Sequence, residues 1–119
     1  MESILTSIKK MLGIAEEYTH FDADLIIHIN SVFAILTQIG VGPSEGFSIE
    51  DDTDVWTDFI QDNKRLESVK SYTYMKVKLL FDPPLSSSVI ESMNRIISEL
   101  EWRIQVAADP VKIIEEEGM

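Results

Sequence analysis

The chain has 119 residues, of which 45% are hydrophobic and 26% charged, a balance that fits one folded domain with one modest core. It has no cysteine, so a disulfide framework and a cysteine-based metal site are excluded; the net charge of −11 argues against binding nucleic acid or anionic membrane by charge. No apolar run approaches the roughly 18 residues of a spanning helix, and acidic Glu2 without a long apolar stretch after it argues against a signal peptide.

Ile4, Leu5, Ile8, Met11 and Leu12 recur at helical spacing and predict a first helix over 3–12, with Gly13 as its stop. A polar linker, 14–21, follows. Leu25, Ile26, Ile29, Val32, Phe33, Leu36 and Ile39 give the clearest helical period in the chain. Thr19 or Asp22 is the expected cap of this helix, and Gly40 its end.

Residues 40–53 read as a long loop punctuated by Gly40, Gly42, Pro43 and Gly46. Phe47 and Ile49 flank Ser48, as a short extended piece would, or as two anchors pinning the loop to the core. A short third helix is expected over 54–62, capped by Thr53, with Val55, Trp56, Phe59 and Ile60 as its apolar face. The fourth runs over 65–81, with Leu66, Val69, Tyr72, Met75, Leu79 and Leu80 inward and lysines between them. Pro83 and Pro84 stop it, because proline lacks an N–H and drives the preceding residue from helical angles. Ser88 with Glu91 three residues on is a capping-box signature for a fifth helix. Val89, Met93, Ile96, Leu100, Ile104 and Ala107 continue its stripe, with Ile90 and Ile97 widening it, and Asp109-Pro110 closes it. The expected fold is all-α: a small bundle of four to five helices with a long Gly/Pro loop between the second and third. Residues 1–109 form the domain and 110–119 a tail too short to be a stable helix alone.

The catalytic inventory is thin. His28 lies inside the second helix and reads as structural or surface-facing, and His20 as solvent-exposed. Asp52-x-Asp54 begins like a calcium loop, but Thr57 stands where the turn glycine belongs and Asn63 where the glutamate belongs. Gly40-Val41-Gly42-Pro43 lacks the third glycine and the lysine of a phosphate cradle, and Ser86, Ser87 and Ser88 lack a nucleophile elbow. No enzyme activity, cofactor or metal is expected.

Charge is segregated. Glu45, Glu50, Asp51, Asp52, Asp54, Asp58 and Asp62 come without a basic residue between them. Lys64, Arg65, Lys70, Lys76 and Lys78 follow against Glu67 alone. Such blocks pair within a chain or between copies. Asp51, Asp52, Asp54, Asp58, Arg65, Lys70, Tyr74, Lys76 and Lys78 are the candidate residues of an interface between copies. Trp56 reads as core, whereas Tyr74 leans off the main stripe.

Several segments in this order resemble one family. They are Ile-Leu-x-x-Ile-Lys-Lys-Met-Leu-Gly (4–13), Phe-Asp-x-Asp-Leu-Ile-Ile-x-Ile-Asn-Ser (21–31) and Gly-Val-Gly-Pro-x-x-Gly-Phe (40–47), then Trp56-x-Asp58-Phe59, the Leu79–Pro84 stop and Glu99–Arg103. The family is the small head–tail connector, or head-completion adaptor, proteins of long-tailed bacteriophages. The resemblance implies a structural virion protein that forms a ring of about twelve copies below the portal protein. Such a ring extends the DNA channel without binding DNA specifically, and joins the capsid to the tail or to the next head-completion protein. The implied location is the head–tail interface of the virion, and the host cytoplasm before assembly, with no membrane partner. It also implies a portal-docking tail, for which Val111, Ile113 and Ile114 are the candidates. The alternative reading is an acidic helical protein–protein interaction module with no virion role.

Overall fold

A computed structural model describes residues 2–61 and 63–108. Five helices follow one another: α1 (Ile4–Leu12), α2 (Asp22–Gln38), α3 (Trp56–Phe59), α4 (Asn63–Phe81) and α5 (Ser87–Ala108). Among the described residues there is no strand, only one antiparallel bridge between Ser3 and Val55. The protein is a small all-α bundle. α4 is its central helix, packing against α1, α2 and α5.

Ser3 caps α1, its hydroxyl accepting from the Thr6 N–H at 3.2 Å. Gly13 ends it at φ 81°, with the Gly13 and Ile14 N–H groups donating to Lys10 and Lys9 carbonyls. The end of α2 repeats that device. Gly40 (φ 92°) and Val41 donate to the carbonyls of Thr37 and Leu36, and the Val41 side chain is buried. The start of α2 departs from expectation: Phe21 is the N-cap, without a side-chain cap bond. Neither Thr19 nor Asp22 caps it, because Asp22 is turned toward Lys9.

Lys9 is the least expected feature of the core. Its side chain is 2% exposed, and Nζ donates to the carbonyls of Glu16 (2.8 Å) and Tyr18 (2.7 Å) while pairing with Asp22 Oδ1 at 2.9 Å. Two of the ammonium's three donors thus go to backbone carbonyls, and the Asp22 carboxylate balances its charge. Met11, expected on the apolar stripe of α1, is instead 40% exposed.

α3 is shorter than predicted. Ile4 N–H donates to the Asp54 carbonyl (3.0 Å) and Trp56 N–H to the Glu2 carbonyl (3.4 Å), which holds residues 54–55 extended. The helix therefore starts at Trp56, and Ile60, extended and buried, ends it. Thr53 does not cap it; its hydroxyl and N–H serve Asp51 instead. α5 begins before the predicted Ser88 cap, with the Ser86 hydroxyl accepting from the Val89 N–H (3.4 Å). Its predicted close, Asp109-Pro110, lies outside the described residues.

The core is aromatic at its middle. Phe33 stacks on Phe59 (4.2 Å, 13°), and Trp56 meets Phe33 edge-on at 6.1 Å. Trp56 Nε1 donates to Ser7 Oγ (2.7 Å), which in turn donates to the Ile4 carbonyl, so the buried indole is satisfied. In α4, Val69, Tyr72, Thr73 and Val77 are buried, whereas Leu80, expected inside, is 55% exposed at the hairpin tip. In α5, Ile97 and Ile104 are buried, while Val89 and Ile96 are exposed. That helix packs chiefly on α4, so only one narrow face is covered.

Tyr72 joins α4 to α5 through its hydroxyl, 2.8 Å from Glu101 Oε2. Burial, then the hydrogen bond to Glu101 and the charge of Glu101, push the Tyr72 phenol up from its ordinary value of 10.0.

Two outcomes are expected. Lys9→Met leaves Asp22 and two carbonyls without their donor and lowers unfolding free energy by about 3 kcal/mol in urea denaturation. Tyr72→Phe lowers it by about 1 kcal/mol near neutral pH. A phenol whose folded pKa is raised binds its proton more tightly when folded. Its contribution is therefore complete below the unfolded pKa of 10.0 and is lost as pH rises above it. The stability gap between the native protein and Tyr72→Phe should accordingly shrink as denaturation is repeated above pH 10.

Candidate interaction surfaces

The loop between α2 and α3 is long but anchored. Val41 is buried, Ile49 is 2% exposed, and the Phe47 ring lies 6.0 Å from Phe33 and 5.3 Å from Phe59. Asn30, on α2, clamps Ile49: its Nδ2 donates to the Ile49 carbonyl (3.0 Å) and its Oδ1 accepts from the Ile49 N–H (2.7 Å). One side-chain amide thus replaces a strand partner for an otherwise unpaired backbone. Of the two sequence readings of Phe47 and Ile49, the anchors are what the structure displays. Gly42 is required where it stands, since its φ is +79° and a Cβ there would meet the Phe59 ring at 2.5 Å.

These anchors split the loop into two exposed tips, 44–45 with Ser48, and 50–53. The second tip holds the acidic candidates. Asp54 Oδ2 accepts from the N–H groups of Glu50 (2.7 Å) and Asp51 (3.3 Å). Asp51 Oδ1 accepts from the hydroxyl and the N–H of Thr53, which hold its carboxyl below the usual carboxylate range. Asp58 Oδ2 accepts from the Val55 N–H at 3.4 Å, in the first turn of α3. Asp52 is exposed. Much of this acid is therefore structural: carboxylates satisfy N–H groups that no helix or strand satisfies. Among the described residues, no group of three His, Asp or Glu is placed to hold a metal ion.

The basic candidates lie along α4 and are partly engaged at home. Lys70 Nζ pairs with Glu2 Oε1 at 2.7 Å, lies 3.9 Å from Glu67, and sits 5.8 Å from the Trp56 ring centre. Lys78 pairs with Asp82 at 3.2 Å. Lys76 Nζ lies 6.0 Å from the Tyr72 ring centre. Arg65 lines an open hollow with Gly42, Pro43 and Asp58. That hollow brings one acidic and one basic candidate to the same place. Tyr74 is half-buried against the core. The tail candidates Val111, Ile113 and Ile114 lie outside the described residues.

Neither histidine is part of a constellation. His20 is exposed against Phe21 (4.8 Å), and His28, half-buried, lies 6.4 Å from Phe81. Sequence reasoning missed Asn30, whose only signal is a polar residue on an otherwise apolar helix. Among the described residues no helix is long and apolar enough to cross a membrane.

The described residues thus form a helical bundle that displays a pinned, acidic loop. The family model for phage connector proteins matches residues 4–111, and the chain belongs to that family. No curated protein and no solved structure is significantly similar to it.

Asn30→Ala removes both bonds to Ile49 and is expected to lower stability by about 2 kcal/mol. It should also speed amide exchange at Ile49, whereas Ser44→Ala, at the exposed tip, should change neither.

Proposed function

We propose that this protein is a structural head–tail connector of a long-tailed bacteriophage, working at the head–tail interface of the virion after a soluble stage in the host cytoplasm. The observation that carries the reading is the connector-family match over residues 4–111. In this reading residues 1–109 form the connector domain. About twelve copies close into a ring beneath the portal, continue the DNA channel, and present a surface to the tail or to the next head-completion protein. The protein performs no reaction.

Two properties of the chain support it. A net charge of −11 disfavours phosphate sticking to a conduit wall. A cyclic ring needs two different faces on each subunit, and the acidic tip 50–53 and the basic residues of α4 are opposite in sign. Lys70 and Lys78 already have partners within the chain, so Lys76 is the stronger member of the basic face. Val111, Ile113 and Ile114 supply an apolar tail for the portal.

The test is to mix the protein with purified portal from the same genome and image the product by electron microscopy. A closed ring added to the portal is the expected result. No added density at concentrations well above micromolar would favour the soluble interaction module instead. For the faces, Lys76→Glu and Asp52→Lys should each weaken assembly on the portal, and the double charge swap should recover part of it. Assembly indifferent to both single reversals at moderate salt would remove the charge pairing and leave the ring itself standing.

A further inference from the structure

α5 turns Ile97 and Ile104 toward α4, but Trp102 is 63% exposed. Arg95 and Val106 fall on the same side of the helix as Trp102, at spacings of seven and four. Among the described residues Arg95 bonds only to Ser92 Oγ (3.2 Å), while neighbouring Arg103 is paired with Glu99 at 2.6 Å. An exposed indole and, two turns away on the same side, a guanidinium without a carboxylate fit an occupant that presents branched aliphatic side chains and then acid.

The sequence after Ala108 has that order. The pair Asp109-Pro110, which disfavours helical backbone, comes first, Val111, Ile113 and Ile114 follow, and then Glu115, Glu116 and Glu117. The lengths agree as well. Going back along α5 from Ala108, Trp102 is about 9 Å away and Arg95 about 20 Å, at 1.5 Å per residue. An extended chain leaving Pro110 covers about 10–13 Å by Ile113 and Ile114, and about 20 Å by Glu116. A tail folded back along α5 thus sets its isoleucines at Trp102 and its glutamates at Arg95.

The geometry points to residues 111–117 of the same chain as the occupant of the Arg95–Trp102–Val106 face. The contact covers the tail's apolar residues in the isolated protein, so any partner that takes those residues must first displace them from Trp102. It concerns the free chain alone and is tested without the portal, so a failure of portal binding leaves it untouched.

Acrylamide quenching of the full-length protein reads this contact. The chain has two tryptophans, and Trp56 is 2% exposed, so the quenchable fraction reports Trp102. In the native protein that fraction is expected to be small. Glu115→Gln with Glu116→Gln and Glu117→Gln, or Arg95→Glu alone, should raise it toward about one half, with Trp56 still shielded as the internal sign of an intact fold. Arg95→Glu combined with Glu115→Lys, Glu116→Lys and Glu117→Lys should restore the low value. A native quenchable fraction already near one half, unchanged by every variant, would overturn the proposal. Protection that disappears on dilution would overturn it too, since the tail would then come from a second copy.

Discussion

A single buried ammonium sets the frame of this protein. The linker 14–21 packs on the core at its two ends, through Ile14 and Phe21, with glutamates and other polar residues between them. Lys9 holds it by charge, drawing the carbonyls of Glu16 and Tyr18 and the carboxylate of Asp22 onto one atom. Desolvating a cation is expensive, and the arrangement is tolerable because two backbone carbonyls and a carboxylate surround the ammonium. The consequence is positional more than energetic. Asp22 is the first residue of α2, so the Lys9 contact fixes where α2 begins and how it is rotated. Everything α2 carries follows, including Asn30 toward the loop and Phe33 toward the aromatic core.

The loop is then gripped from two directions. Asn30 of α2 holds Ile49, while the segment before α1 holds Asp54 and Trp56 through backbone bonds. Between these grips Phe47 and Phe59 pack on each other, and Gly42 passes so close to the Phe59 ring that no side chain fits there. A long loop treated this way loses the conformational freedom that binding would otherwise have to remove. Its exposed tips are presented at fixed positions, as the proposed ring would require of a contact surface.

Helical periodicity made the five helices legible, because an apolar stripe is a property of a dozen residues at once. What escaped were single contacts. Lys9 lies four residues after Leu5 and three before Leu12, on the edge of the stripe, yet nothing local separates it from Lys10, which is exposed. Its acceptors are two backbone carbonyls and a carboxylate beyond a turn. Caps failed for a related reason. Three consecutive serines offer three equivalent caps before α5, and the choice of Ser86 depends on where the chain leaves the double proline. The extended backbone at 54–55 is imposed by Ser3 and its neighbours, so no propensity near Thr53 announces it. Val89 and Ile96 lie on the predicted stripe yet are exposed, because α5 has one main neighbour and only part of its stripe is covered. The charge blocks were plain in the sequence, but the division of labour inside them was not.

That division bears on the connector reading. The carboxylates of Asp51 and Asp54 accept from loop N–H groups and give the second tip its shape. They are held in place by the backbone and cannot swing toward a neighbouring subunit without undoing the tip. Asp52 has no such duty, and Glu45 is tied only to the adjacent Ser44 hydroxyl at 3.4 Å. In the proposed ring the first pair sets geometry, while the second pair can re-aim toward a basic face or contribute to the field along a channel. The same reasoning separates the lysines, since Lys70 must give up Glu2 before it can serve a neighbour, and Glu2 lies on the segment that holds α3 in place. An interface built on Lys70 would therefore loosen the subunit that forms it, whereas one built on Lys76 would leave the fold alone.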